Sequence, residues 1–181
     1  QVDFIELGNL NSVETILKTN NTCAVIIECI QGVGGLDEST TAFYQGLEKL
    51  CQHYNTALIA DEVQSGFGRT GDFFAFQKHN ITPDIISVAK GMGNGFPVGG
   101  ILIHPSIKAS FGLLGTTFGG NHLACAATLS VLDVIENQNL MQNASEVSDY
   151  FQEKAKALPN LKAIKGRGLM LGLEFDFPIS E

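Results

Sequence analysis

Short apolar runs alternate with longer segments of helical periodicity along this chain, and the pattern predicts its main elements. Four aliphatic runs bounded by Gly, Pro or Asn are typical of buried strands: Cys23–Glu28, Ala57–Asp61, Ile85–Lys90 and Val98–Ile103. We expect the first run to be buried on both faces of a sheet. The first two runs flank a helical stripe from Ser39 to Tyr54, with Ser39 or Thr40 as its N-cap. A strand, helix and strand within about 40 residues predict a right-handed βαβ unit, and therefore an α/β protein with a mostly parallel sheet.

A different pattern begins after residue 121. Its periodicity predicts one helix over His122–Gln138 and another over Asn143–Leu158, which a proline ends. The closing segment, Lys162–Phe177, alternates glycine with apolar residues and predicts a strand pair or a strand edge. The change near residue 140 predicts a boundary between two domains, 1–140 and 141–181.

Composition and charge narrow the class of protein. The 181 residues are 44% apolar and 17% charged, which is enough for the core of a globular domain. Eleven Lys and Arg oppose nineteen Asp and Glu, and no basic cluster follows one face, so we expect no nucleic-acid partner. The apolar runs are far shorter than the roughly 20 residues of a membrane helix, and no signal-like segment opens the chain. We expect a cytoplasmic protein without a membrane partner and, because the first residue is not Met, a piece of a longer chain.

The cysteines and histidines do not indicate a disulfide framework or a metal site. The four cysteines lie in apolar runs without C-x-x-C spacing, which predicts buried free thiols in a reducing compartment: Cys23, Cys29, Cys51 and Cys125. The four histidines lack the spacing of zinc ligands, so no metal is expected.

Two of the predicted strands end in an ionisable residue, Asp61 and Lys90. Ligands of open parallel sheets bind beyond the carboxyl ends of the strands, so both side chains are expected at the same rim. Either residue alone is more often a cap or a surface charge, but together they indicate a ligand site. The segment Gly91–Pro97 has little bulk and leaves room for a ligand, and we expect the apolar strands to desolvate Lys90, which favours a nucleophilic neutral amine.

A second candidate site is the hydroxyl- and glycine-rich loop Gly115–Asn121, which leads into a predicted helix. Phosphate fits such a helix N-terminus, although Asn121 is also expected to cap the helix in the ordinary way. The glycines at 91, 93 and 95 have the wrong spacing for a dinucleotide-binding fingerprint.

Long motifs in the chain resemble the class III, ornithine/acetylornithine-type, pyridoxal-phosphate aminotransferases. They are Leu58–Gly71, Pro83–Ile85, Ala89–Gly91 and Thr116–Asn121. The resemblance extends from about Cys23 to Phe175, whereas family members are roughly twice as long as this chain. It implies a fold-type I α/β architecture, with 1–140 as part of the cofactor-binding large domain and 141–181 as the start of the small domain. In the family, a glycine-rich phosphate loop and a ring-stacking aromatic residue lie before the position of Gln1.

The resemblance also implies roles for individual residues. Lys90 is similar to the lysine that binds pyridoxal phosphate as a Schiff base and then carries the substrate proton. Asp61 is similar to the carboxylate beside the pyridine nitrogen, which keeps the ring protonated and a better electron sink. Val63 would pack on the ring and Gln64 would bond near its hydroxyl. Thr117 would bind the cofactor phosphate of a neighbouring subunit, which implies a homodimer.

Two positions depart from the pattern of the family. Val33 replaces an acidic residue, and Lys165 stands where relatives usually have an arginine that binds a substrate carboxylate. In ornithine-type relatives these two residues pair, so their joint loss leaves no buried unpaired charge. A lysine cannot reproduce the bidentate contact. We expect Lys165 to make a weaker, monodentate substrate contact and Arg167 to be a variable exposed residue, although Arg167 could take over because it shares a strand face with Lys165.

The resemblance implies an enzyme that moves an amino group from an ornithine-like donor, N-acylated ornithines included, to 2-oxoglutarate. Its partners would be a small amino acid and a 2-oxo acid. Three alternatives stay open: a class III relative such as an aminomutase, a catalytically silent domain that keeps the fold, and an unrelated α/β domain that binds a small molecule.

Overall fold

A four-stranded sheet organises the first two thirds of the chain. In the computed structural model, which describes residues 2–108, 110–112 and 115–179, its strands are β1 (Ala24–Ile27), β2 (Ala57–Asp61), β3 (Ile85–Val88) and β4 (Gly100–Ile103). They lie in the order β1-β2-β3-β4. The first three strands are parallel, and β4 runs antiparallel to β3. The predicted α/β class and mostly parallel sheet are confirmed.

Four α-helices accompany the sheet: α1 (Leu10–Leu17), α2 (Thr41–His53), α3 (His122–Asn137) and α4 (Leu140–Ala155). The Thr40 side chain caps α2 by accepting a hydrogen bond from the Phe43 N–H, which decides between the two N-cap candidates. Helix α1 was not predicted, although Asn9 caps it in the same way. Helix α4 begins three residues before its predicted start, directly after Asn139, whose φ of +50° turns the chain out of α3. Short 3₁₀ turns cover Ala75–His79 and Lys90–Met92.

The last strands, β5 (Leu161–Arg167) and β6 (Met170–Phe175), form a separate antiparallel hairpin. This confirms the predicted strand pair. Gly168 in the hairpin turn has φ of +58°, and a side chain there would lie 2.4 Å from the Thr70 carbonyl carbon. The Leu169 N–H also donates to the Arg69 carbonyl at 2.8 Å. The hairpin turn therefore contacts the backbone of the segment that follows β2. The domain boundary near residue 140 stays a prediction.

The core lies between one face of the four-stranded sheet and α2. The buried residues of this core are apolar or aromatic and include Val13, Leu17, Phe43, Tyr44, Leu47, Leu58, Phe74 and Phe76. Val25 and Ile27 of β1 pack against this cluster. Ile26 points to the other face and is 63% exposed. The prediction that the first strand is buried on both faces is therefore wrong.

All four cysteines are free, but two of them are exposed. Cys29 and Cys51 belong to the core, and burial raises the pKa of each thiol to about 12. The prediction of burial is wrong for Cys23, which precedes β1, and for Cys125, which lies on the outer surface of α3.

The described part of the chain has neither a membrane-spanning helix nor a cluster of metal ligands. It contains no helix long and apolar enough to cross a membrane. Its His, Cys, Asp and Glu side chains form no group of three that could hold a metal ion.

We predict that Tyr44→Phe destabilises the protein by about 1–3 kcal/mol, because it removes the side-chain partner of a buried carbonyl and of a half-buried N–H. The Tyr44 hydroxyl donates to the Cys29 carbonyl at 2.8 Å and accepts from the Ser39 N–H at 3.0 Å. Urea unfolding of the full-length protein measures the loss.

Tyr54→Phe is the matched control, because among the described residues this hydroxyl bonds the Glu14 side chain alone, at 3.3 Å in a half-buried position. We expect a change within about 0.5 kcal/mol. Equal effects of the two substitutions would contradict the role assigned to the Tyr44 hydroxyl.

Candidate functional site

The predicted site residues Asp61 and Lys90 lie at the same edge of the sheet. Asp61 ends β2 and pairs in register with Ser87 of β3, and the Glu62 N–H donates to the Ser87 carbonyl at 3.0 Å. Lys90 follows Ser87 by three positions. Because β2 and β3 are parallel neighbours, their carboxyl ends bring a carboxylate and an amine to one rim, as the strand pattern predicted.

The side chain of Asp61 is half-buried and only partly hydrogen-bonded. Its Oδ1 accepts the Val63 N–H at 3.0 Å, so the turn after β2 holds the carboxylate in place. Among the described residues, no donor reaches the second carboxylate oxygen. Asp61 thus presents an oriented acceptor at the end of the strand.

Lys90 lies on a strained, exposed turn. It has φ of +42°, in the left-handed region that non-glycine residues rarely adopt, and it begins the 3₁₀ turn after β3. The prediction that apolar strands desolvate Lys90 is wrong, because β3 ends at Val88 and the lysine stands beyond it, exposed. Phe67, with φ of +58°, lies opposite, and its Cβ would be 3.4 Å from a side chain built on Gly91.

Gln64 and Val63 continue the same rim. Both are half-buried. The Gln64 amide rests against Gly32 in the loop after β1, where a side chain on Gly32 would lie 1.8 Å from Gln64 Nε2. The loops after β1, β2 and β3 therefore form one continuous edge.

Sequence reasoning missed Glu62, the buried carboxylate next to Asp61. It is 1% exposed and accepts hydrogen bonds from Ser65 Oγ at 2.6 Å and from the N–H groups of Ala75 and Phe76 at 3.0 Å each. Burial raises the pKa of Glu62, and these hydrogen bonds oppose the rise. An acidic residue directly after a buried strand was the available signal, but sequence alone does not reveal donors thirteen and fourteen positions away.

Thr117, the predicted phosphate-binding residue, lies in the bend before α3. Its side chain is exposed and makes no hydrogen bond within the described ranges. Asn121 caps α3, accepting from the Ala124 N–H at 3.0 Å, as predicted. The phosphate-binding role of Thr117 stays a prediction.

Lys165 and Arg167 of β5 are both engaged by carboxylates of the chain itself. Lys165 Nζ lies 2.8 Å from Asp37 Oδ1 and 3.3 Å from Glu174 Oε2, and these hydrogen bonds raise the pKa of Lys165. Arg167 lies on the same strand face and meets Glu38, the neighbour of Asp37. Two cations two residues apart therefore pair with two consecutive acids. Their substrate-binding roles stay predictions.

The expectation that Arg167 is an exposed residue is wrong. Its side chain is only 12% exposed, with Nε 3.2 Å from Glu38 Oε1 and Nη1 2.6 Å from Asp72 Oδ2. Nη2 donates to the Ala75 carbonyl at 2.6 Å. A side chain with this many partners anchors β5 to the segment after β2 and to the loop before α2.

Glu38 joins this network to a buried histidine. His79 is 2% exposed, its Nε2 is 3.1 Å from Glu38 Oε1, and its ring lies against Tyr44 at 4.2 Å. Burial alone would raise the pKa of Glu38, but His79 and Arg167 outweigh burial and hold the pKa of the carboxyl below its ordinary value.

We predict that Glu38→Gln destabilises the protein at neutral pH and that the difference shrinks in acid. A carboxyl whose folded pKa is lowered contributes its full stability above the unfolded pKa of about 4.3 and loses it as the pH falls through the folded value. Urea unfolding of both proteins between about pH 7 and pH 3 measures the difference in free energy.

Asp37→Asn provides the control, because Asp37 is half-exposed and pairs with Lys165 at the surface. We expect it to change stability by less than about 1 kcal/mol at every pH. A Glu38→Gln effect that is constant down to the acid limit would show that charge does not carry the contribution.

Comparison with known proteins agrees with the geometry. The family model for aminotransferase class-III matches residues 5–180. The chain is 46% identical to acetylornithine aminotransferase of Aquifex aeolicus, covering 96% of this chain and 46% of that protein. It is 40% identical to succinylornithine transaminase of Photorhabdus laumondii, covering 97% and 45%.

Solved structures show the same likeness. The ornithine aminotransferase of Toxoplasma gondii ME49 superposes with a TM-score of 0.88 at 31% identity, covering 96% of this chain and 43% of that one. This chain therefore spans about half the length of the relatives it matches. Matched almost from end to end, with an acid and a lysine at neighbouring strand ends, the chain belongs to the class III aminotransferases, a family that uses pyridoxal phosphate.

Proposed function

We propose that the protein is a pyridoxal-phosphate-dependent aminotransferase and that this chain supplies the lysine and the ring-nitrogen carboxylate of its site. The observation that carries the proposal is the placement of Asp61 and Lys90 at the carboxyl ends of adjacent parallel strands. Family membership then gives this pair a chemical meaning.

The residues at the rim fit the cofactor. Asp61 has an acceptor oxygen without a donor, and the Gln64 amide and the Lys90 amine have no hydrogen-bond partner within the described part of the chain. All three groups therefore keep the capacity to bind a polar ligand, while Val63 provides an apolar contact beside them. These donors and acceptors are accessible at the rim, so a polar ligand can bond to them without breaking a contact within the chain.

Pyridoxal phosphate supplies an electron sink for the carbanion that forms when an amino acid loses its α-proton. Asp61 would hold a proton on the pyridine nitrogen, because a nearby anion favours the charged form of that nitrogen. Lys90 would bond to the cofactor through its amine and, once released, move the proton at the α-carbon of the substrate. The Gln64 amide would orient the cofactor by a hydrogen bond to the hydroxyl group of the pyridoxal ring.

The donor is proposed to be an ornithine-like amino acid, N-acylated ornithines included, and the acceptor 2-oxoglutarate. The proposal rests on relatives named for acetylornithine, ornithine and succinylornithine. We propose further that the protein is a cytoplasmic homodimer, with Thr117 binding the cofactor phosphate of the partner subunit. Residues 1–140 would belong to the cofactor-binding domain and 141–181 to the small domain.

We predict that Lys90→Ala removes the covalent adduct that borohydride reduction traps between the full-length protein and pyridoxal phosphate. Mass analysis of the peptides after reduction locates the adduct. Lys78→Ala, at an exposed lysine of the 3₁₀ turn before β3, serves as the control and should keep it. Adducts spread over many lysines, or transamination retained by Lys90→Ala, would show that Lys90 is not the cofactor-binding lysine. An adduct on Lys90 without amino transfer to 2-oxoglutarate would favour the silent domain or the aminomutase.

We predict that Asp61→Asn lowers the rate of amino transfer more than it weakens cofactor binding. The neutral amide still accepts a hydrogen bond but no longer favours the protonated ring. Replacing a charge-assisted hydrogen bond with a neutral one corresponds to about 10-fold in rate. Stopped-flow absorbance of the half-reaction with excess donor measures this rate. An unchanged rate would remove Asp61 from the mechanism.

A further inference from the structure

Gly32, in the loop after β1, lies directly against the side chain of Gln64 in the loop after β2. A side chain built on Gly32 would lie 1.8 Å from Gln64 Nε2, 2.5 Å from its Cδ and 3.0 Å from its Oε1. The whole Gln64 amide therefore occupies the space where residue 32 would carry its first carbon. The φ of Gly32 is outside the left-handed region, so backbone conformation does not demand glycine at this position.

A side chain of the same loop fixes the backbone of Gly32. The Glu28 carboxylate accepts the Gly32 N–H at 2.8 Å, which closes the turn that follows β1. Gln64 in turn leaves the end of β2, the strand adjacent to β1. The backbone of Gly32 is thus held in place by a hydrogen bond, and the Gln64 amide packs against it.

Packing against Gly32 leaves the polar atoms of the Gln64 amide free to bond a ligand. No hydrogen bond of the Gln64 side chain is found within residues 2–108, 110–112 and 115–179, although the residue is half-buried. An amide held by van der Waals contact keeps its donors and its acceptor for a ligand. Gln64 follows Asp61 by three positions, so its amide belongs to the rim that carries the carboxylate.

We propose that Gly32 is a positioning residue: the absence of its side chain, with its backbone fixed by Glu28, seats the Gln64 amide for a hydrogen bond to the ring hydroxyl of pyridoxal phosphate. This inference rests on the proposed function. A methyl group at position 32 forces the amide away from its seat, whereas the sheet, Asp61 and Lys90 keep their places.

A double-mutant cycle tests the proposal in the full-length protein. Gly32→Ala, Gln64→Ala and the double variant are titrated with pyridoxal phosphate, and the dissociation constant and absorbance maximum of the bound form are measured. We expect each single substitution to weaken binding by about 3- to 10-fold, as for one lost hydrogen bond. The double variant should bind like Gln64→Ala alone, because the methyl group then has no amide to displace.

Gly100→Ala in β4 is the control, because a methyl group there would meet only Val88 and Met92, at 3.8 and 4.0 Å. It should bind pyridoxal phosphate like the wild type. Wild-type binding by Gly32→Ala, or an equal additional loss from Gly32→Ala in the Gln64→Ala background, overturns the role of Gly32. Failure of the unsubstituted protein to form the Lys90 adduct overturns the proposed function and this inference together.

Discussion

The buried carboxylate of Glu62 connects the end of β2 to the 3₁₀ turn Ala75–His79. It binds the N–H groups of Ala75 and Phe76, and the Ala75 carbonyl receives Arg167 from β5. Charge-assisted hydrogen bonds around this 3₁₀ turn therefore link the two sheets, together with the backbone contact between Leu169 and Arg69. A buried charge is costly unless its bonds are satisfied, so this geometry allows little variation. Asp61, the preceding residue, lies between this fixed carboxylate and the pairing of β2 with β3.

Opposite charges attach the terminal hairpin to the rest of the molecule. Lys165 and Arg167 flank Gly166 in β5, and each meets an acid of the loop before α2. The two contacts differ in depth. Lys165 pairs at the surface, where screening by water leaves little energy, while Arg167 is nearly buried and has four hydrogen-bond partners. The arginine therefore carries most of the attachment.

Patterns that depend on neighbours in sequence could be predicted, whereas long-range contacts could not. The run Ala57–Asp61 is a strand with the predicted bounds, because aliphatic content and flanking polar residues set its limits locally. Strand order then placed Asp61 and Lys90 together. The burial of Arg167 depends on Glu38 and Asp72, which lie 129 and 95 positions away, and no periodicity encodes those contacts. The exposure of Ile26 likewise depends on whether other elements pack on the second face of β1, and an aliphatic run does not encode that.

The strained backbone at Phe67 and Lys90, near Asp61, lowers the stability of the fold in order to position groups of the candidate site. Phe67 and Lys90 both adopt left-handed φ values, although neither is Gly or Asn, the residues that tolerate this region best. Each such residue costs on the order of 1 kcal/mol or more, and the packing around it must supply that energy. Selection for thermal stability alone would replace both residues with glycine or asparagine. Their presence means that part of the folding energy of the chain is diverted into holding an amine and an aromatic ring at the rim of the sheet.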